Sequence, residues 1–242
     1  MLKARIKFRK YGVMKFIGHL DIMRYFQKVM RRADIPIAFT QGFSPHMIMS
    51  FAQPLGVGVT SDAEYFDIEL TEPISSKRAI EQMNQANVEG IEIVSFVEIP
   101  DDKKCSGMTI VAGAEYAVSL LESNKSSDVT KKITDEWKEK IDAFMAQSEI
   151  RILKQTKRSE KEVDIKPMIY DMEVCDNRIC MFLATGSEQN LKPDLVMKAF
   201  LTFAGESEDT PLHYHRLEVY AKNPDNHQEF ISLEELGKEI EE

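Results

Sequence analysis

Between Lys15 and His46 the chain sets two histidines, five cations and a Gly42-Phe43-Ser44-Pro45 loop within one short segment. An imidazole exchanges a proton near neutral pH. Lysine and arginine neutralise phosphate oxygens. Lys15, His19, Arg24, Lys28, Arg31, Arg32, Ser44 and His46 are therefore candidate RNA- and phosphate-binding residues, with His19 and His46 the alternative catalytic pair. His19 follows Gly18 at a helix start, where free amides favour anions and hold the imidazole neutral. A capping or packing role for His19 is an equal reading. Phe43 is expected to be the buried anchor of a structural turn, with base stacking as its alternative.

Charge points the same way. Ten Lys and Arg oppose two Asp in the first fifty residues, a net of +8, whereas the remainder carries −17 and the whole chain −9. A general nucleic-acid coat is excluded by that overall sign, so any RNA contact is local. No apolar run reaches the ~20 residues of a membrane helix, and the start MLKARIKFRK lacks a signal-peptide core. Three cysteines, Cys105, Cys175 and Cys180, indicate no disulfide framework and a reducing, cytoplasmic setting. No iron–sulfur motif is visible, and His213 and His215 read as structural or surface residues rather than metal ligands. No cofactor is expected in this chain.

These residues need elements to position them. Leu2 to Arg9 alternates apolar and basic side chains, the pattern of a strand with one buried and one basic face. A helix over His19–Ala33 buries Leu20, Met23, Phe26, Met30 and Ala33 and puts its cations elsewhere. A short strand over Pro36–Thr40, a strand over Ala63–Leu70, a helix over Ser75–Gln85 and a strand over Ile91–Ile99 complete a β-α-β-β-α-β order. Gly56-Val57-Gly58 reads as a strand-entry turn. After a polar linker the order restarts: a strand over Glu115–Leu121, a helix over Ser127–Ala146 that includes Val129, and a strand over Ile150–Gln155. An extra strand or long loop, a hairpin about Asp176-Asn177, a helix over Leu195–Phe203 and a strand over Leu212–Ala221 follow. The expected fold class is α+β, with two tandem ferredoxin-like (split βαβ) domains. The expected boundaries are 1–104, a 105–113 linker, 114–225, and a 226–242 acidic tail that is a short helix or disordered. Lys154, Lys157, Arg158, Lys161 and Lys166 make a second basic run, read first as a solvated loop.

The segments KYGVMKFIGHLDIMRYFQKVMRRADIP and AFTQGFSPHMIMSFAQPLGVGVTSDAEYFDIEL resemble the radical-SAM-linked protein family, a domain of unknown function. Its members occur fused to, or encoded beside, a radical S-adenosylmethionine protein. The motifs that carry the resemblance are Gly18-His19-Leu20-Asp21, Arg31-Arg32-Ala33, Gly42-Phe43-Ser44-Pro45 and Glu64-Tyr65, with Lys192-Pro193-Asp194 further on. His46-Met47 stands where members often show Arg-Pro, which counts against a guanidinium-to-phosphate contact there. The resemblance implies an accessory RNA-binding protein acting with a radical SAM partner in tRNA or rRNA modification. The iron–sulfur cluster and S-adenosylmethionine belong to that partner. Two alternatives stand beside it: a metal-independent RNA endonuclease with a histidine general acid/base, by analogy of fold with the CRISPR RNA-processing enzymes, and a protein-interaction module that docks the partner.

Overall fold

The computed structural model describes residues 2–121, 132–155, 160–226 and 228–241. It is a mixed α+β fold. The first elements are β1 (Leu2–Lys10), α1 (His19–Arg32), β2 (Met49–Phe51), β3 (Thr60–Leu70), α2 (Ser76–Ala86), β4 (Ile91–Ile99) and α3 (Gly107–Ile110). Next come β5 (Val111–Leu120), α4 (Asp135–Met145), β6 (Arg151–Gln155), β7 (Glu160–Asp164), β8 (Ile169–Cys175), β9 (Arg178–Ala184) and α5 (Pro193–Ala204). The chain closes with β10 (Leu212–Lys222), β11 (Phe230–Ser232) and β12 (Lys238–Glu239). It divides into two compact units, one made of Met1–Ala112 with Arg216–Glu242, the other of Gly113–His215.

In the first unit the strands lie in the order β12-β4-β1-β3, with β2 and the later part of β10 on the far edge of β3. β1 pairs antiparallel with both β3 and β4, and β2 pairs antiparallel with β3. Ala4, Ile6 and Phe8 of β1 meet Phe66, Ile68 and Leu70 of β3 and the inner sides of α1 and α2 in one core. Four phenylalanines, Phe8, Phe26, Phe51 and Phe66, sit edge-on or stacked within 4.7 to 6.3 Å of one another. α1 ends where Ala33 caps it and Asp34 turns the chain at φ 47°, ahead of Pro36.

Four expectations fail in this unit. Leu20 is 67% exposed rather than part of the α1 core, where Ile22 and Val29 stand instead. Pro36–Thr40 makes only isolated bridges, Ile37 to Leu70 and Phe39 to Met47, because Pro36 supplies no amide hydrogen. The C-terminal segment is neither a helix nor a tail. β11 pairs with β10, β12 pairs with β4, and Leu233 between them is fully buried, so residues 216–242 belong with the first unit. The polar stretch after residue 104 also belongs there: α3 carries the Gly107 amide to the Asp67 carboxylate at 2.7 Å.

In the second unit β5, β9 and β8 lie side by side, antiparallel. The Leu121 amide donates to the Pro211 carbonyl where β10 opens. The β8–β9 turn is Asp176-Asn177, both at positive φ, as the sequence predicts. Trp137, Ile141 and Phe144 of α4 are buried, with Trp137 and Phe144 against Phe200 of α5. β6 and β7 form a separate two-stranded ribbon. Val129 and the rest of the expected helix start at 127–131 lie outside the described residues. The hairpin brings Cys175 and Cys180 together as a disulfide, S–S 2.06 Å, which overturns the expectation that the cysteines stay unpaired. Register explains it: Cys175 opposes Arg178 and Glu173 opposes Cys180, so the two thiols are diagonal neighbours across the ribbon.

Candidate nucleic-acid interface

The basic face of β1 is not a surface. Arg5 is 1% exposed and grips the Asp67 carboxylate with Nε at 2.8 Å and Nη2 at 3.0 Å. It also donates to the carbonyls of Cys105 and Leu233. Lys7 bonds Glu218 at 2.7 Å and Glu234 at 2.5 Å. Lys3 pairs with Asp101 and Glu69, and Arg9 with Glu92 and Asp62. The basic face read for the first strand is therefore not open to phosphate. Carboxylates of the first unit, two of them from its C-terminal segment, already neutralise the strand.

α1 keeps its cations outside. At about 100° per residue, Arg24, Lys28 and Arg31 fall within about 60° of each other and Arg32 lies at the margin of that stripe. Arg24 pairs with Asp21 one turn earlier at 3.2 Å. Lys28, Arg31 and Arg32 are exposed, and among the described residues no carboxylate is paired with them. Lys15 sits apart, on a 3₁₀ turn over Gly12–Phe16, with its ammonium 5.3 Å from the Phe16 ring centroid.

The two imidazoles do not join the stripe as a catalytic pair. His19 opens α1 about 140° around the helix from Arg24, on the inner side. Its ring packs edge-on against Phe51 at 5.3 Å, and burial lowers its pKa below the ordinary histidine value. His19 is therefore expected to stay neutral at pH 7, with an NMR titration midpoint below 6.5. The sign follows from the depressed folded value. This group's contribution to stability is present above the unfolded pKa and is lost as pH falls through the folded one. His46 is exposed, its Nδ1 lying 3.1 Å from the Thr40 hydroxyl and 3.5 Å from the Ser44 carbonyl of its own loop. Ser44 is exposed too, and Phe43, expected inside, stands fully in solvent at 111%.

Beneath His19 lies a group that the sequence reading missed. Lys10, 2% exposed, donates to the Ile17 carbonyl at 2.7 Å. Glu64, 4% exposed, accepts from Arg216 at 2.9 Å. Lys10, His19 and Glu64 line a cavity of about 10 Å³ among Phe8, Ile22 and Phe51. Burial pushes the Lys10 ammonium below its ordinary pKa, with Glu64 opposing and Arg216 adding to the effect. Burial raises the Glu64 carboxyl, with Arg216 opposing. The cavity has room for about one water, too little for an RNA substrate group. The signal was available: Lys10 and Glu64 fall at core parity on their strands, after Phe8 and before Phe66.

Elsewhere the candidates stay scattered. Among the described residues no three His, Cys, Asp or Glu side chains are grouped as metal ligands. His213 and His215 are half-buried on β10. Of the second basic run, Lys161 is exposed and Lys166 half-buried. Lys157, Arg158 and the Lys154 side chain lie outside the described residues. No described helix is long and apolar enough to cross a membrane.

Residues 3–193 match the model of a family described as an uncharacterized protein conserved in bacteria (DUF2344). Among solved structures the chain is similar to one in a crystal structure of a Cbf5-Nop10-Gar1 complex, at 10% identity and a TM-score of 0.41. That match covers 89% of this chain and 48% of the other, so the chain spans about half its neighbour's length. The score is too low for the likeness to carry fold or function. No curated protein matches the chain.

Proposed function

This chain belongs to the DUF2344 family of bacterial proteins, and on that premise we propose that it is a cytoplasmic accessory protein that holds an RNA through α1. A radical SAM partner would carry out a tRNA or rRNA modification and bring its own iron–sulfur cluster and S-adenosylmethionine. The finer fold reading belongs here as well. The β4-β1-β3-β2 order of the first unit and the β-α-β-β-α-β succession in the second, interrupted by the β6–β7 ribbon, support tandem ferredoxin-like domains.

One observation carries the functional reading. In a chain with 40 acidic residues, Lys3, Arg5, Lys7 and Arg9 of β1 are matched by carboxylates while Lys28, Arg31 and Arg32 of α1 are left exposed and unmatched among the described residues. A stripe of that kind favours a polyanion. Exposed Phe43 on the loop after α1 offers a ring for base stacking. Single-stranded RNA binding is expected to weaken with salt, and the Lys28→Ala, Arg31→Ala, Arg32→Ala triple variant to flatten the log–log slope by about two. A Lys77→Ala, Arg78→Ala control on α2 is expected to leave it nearly unchanged. A triple variant with the wild-type slope and affinity would remove the proposal.

A second reading has its own observation. Leu20 is 67% exposed at the edge of the cation stripe, one turn before Arg24, and Phe16 and Val57 are 64% and 63% exposed. Apolar groups among cations also suit an acidic, apolar partner surface, as a docking module would need. Capture of the radical SAM partner that survives RNase treatment, by a chain with no measurable RNA affinity, would favour it. The endonuclease reading has the weakest support, because His19 is turned inward and His46 is held within its own loop.

A further inference from the structure

On the outer face of the β8–β9 hairpin stand Glu173, Cys175, Arg178 and Cys180, at opposite parity to the buried Met172, Ile179 and Met181. Glu173 and Arg178 are exposed, and both cysteines are half-buried rather than sealed in the core. A small solute can therefore approach the sulfur pair from solvent.

The ring that the disulfide closes is short. Asp176, Asn177, Arg178 and Ile179 are all that lies between the two cysteines. Turn and ladder close that loop independently, since Val174 pairs with Ile179 and Cys175 with Arg178. Asn177 adds a tie from outside the hairpin, its Oδ1 accepting from the Ile133 amide at 2.6 Å. The backbone thus sets the two cysteine Cα atoms 6.1 Å apart, inside the span that a disulfide bridges. A disulfide acts mainly by restricting the unfolded chain, and less so for shorter loops, so opening this one costs the fold little.

Charge divides the two thiols. Arg178 stands directly opposite Cys175, and Glu173 directly opposite Cys180. A guanidinium favours a neighbouring thiolate, whereas a carboxylate disfavours it. Cys175 is thus placed to attack and Cys180 to resolve.

We propose that Cys175 and Cys180 form a reversible thiol–disulfide site, oxidised by a small disulfide of the glutathione class. The Cys175 thiolate attacks one sulfur of that disulfide, forming a mixed disulfide and expelling one thiolate. Cys180 gives its proton to solvent, attacks the Cys175 sulfur, closes the hairpin bond and expels the second thiolate. The protein loses two electrons and the small disulfide gains them, while the two cysteine protons end on the two thiols released. Neither step involves α1, so the site is independent of the RNA reading.

The test places the full chain in mixtures of oxidised and reduced glutathione, quenches with an alkylating agent and reads intact mass and peptide maps. The wild type is expected to open and close the bond reversibly, with the same circular dichroism in both states. Cys180→Ser is expected to hold glutathione on Cys175, which the peptide map distinguishes from Cys105. In the reduced wild type Cys175 is expected to alkylate roughly three- to tenfold faster than Cys180, and Glu173→Gln with Arg178→Gln to remove that difference. A bond that no mixture opens, or a reduced chain that loses its fold, makes the disulfide a structural staple and overturns the proposal. Thiols that never join in any mixture overturn it as well. Cys180 reacting as fast as Cys175 in the wild type overturns the assigned order of attack.

Discussion

Arg5→Met is expected to cost about 3–5 kcal/mol of unfolding free energy, the range for removing one partner of a buried ion pair. Methionine replaces the aliphatic stem well enough, so lost packing is a minor part. The larger part is what stays behind. Asp67, 7% exposed, would keep only the Gly107 amide among the described residues, and the Cys105 and Leu233 carbonyls would lose the guanidinium. Urea unfolding followed by circular dichroism gives the total. Hydrogen exchange at β1 and β3 amides locates it, since these strands hold Arg5 and Asp67. Replacing both partners, Arg5→Met with Asp67→Leu, is expected to recover much of the loss because no lone buried charge remains. If the single variant unfolds at the wild-type midpoint, Arg5 and Asp67 are not the buried pair described.

The same pair shows how far the sequence could be read. Period-two alternation in LKARIKFR locates the strand and the core parity of Ala4, Ile6 and Phe8, and β1 forms there. Alternation says nothing about what covers the charged face. Its carboxylate partners are remote: Asp67 is 62 positions from Arg5, and Glu218 and Glu234 are 211 and 227 from Lys7. Pairing over that distance is a property of topology, so the strand read as a solvent-facing basic surface. α1 was more legible because helical spacing separates Arg24, Lys28 and Arg31 from Phe26 and Met30 without long-range information. Leu20 was misplaced since an apolar residue in the first turn counts toward the stripe in a periodicity argument, although Ile22 is the residue that turns inward. The Gly-Phe-Ser-Pro loop misled in the opposite sense. An aromatic beside glycine and proline suits a buried anchor, yet the loop projects Phe43 into solvent.

The last residues are expected to be as important as the first. A chain stopped after Glu229 should lose the protection of β1 and β4 amides altogether, and Leu233→Ala alone should cost about 2–5 kcal/mol, as for other fully buried leucines. Leu233 is fully buried, and its carbonyl accepts from Arg5. Beside it Glu234 completes the pair of carboxylates on Lys7; without it, the buried ammonium keeps only Glu218 among the described residues, and Glu218 also accepts from the Tyr65 hydroxyl at 2.7 Å. Further on, Ile240 exchanges two hydrogen bonds with Ser76, at 2.9 and 2.8 Å, and so ties the segment to the first residue of α2. Gly237 passes so close to β4 that a Cβ there would lie 2.8 Å from the Glu98 carbonyl oxygen, so this contact needs glycine. An acidic composition reads as a solvated end, but here Glu234 adds a second carboxylate to Lys7 and the Leu233 carbonyl takes a hydrogen bond from Arg5. Hydrogen exchange separates the possibilities directly. Wild-type protection of β1 in the shortened chain would mean that the segment is dispensable and that the β1 cations are held without its carboxylates.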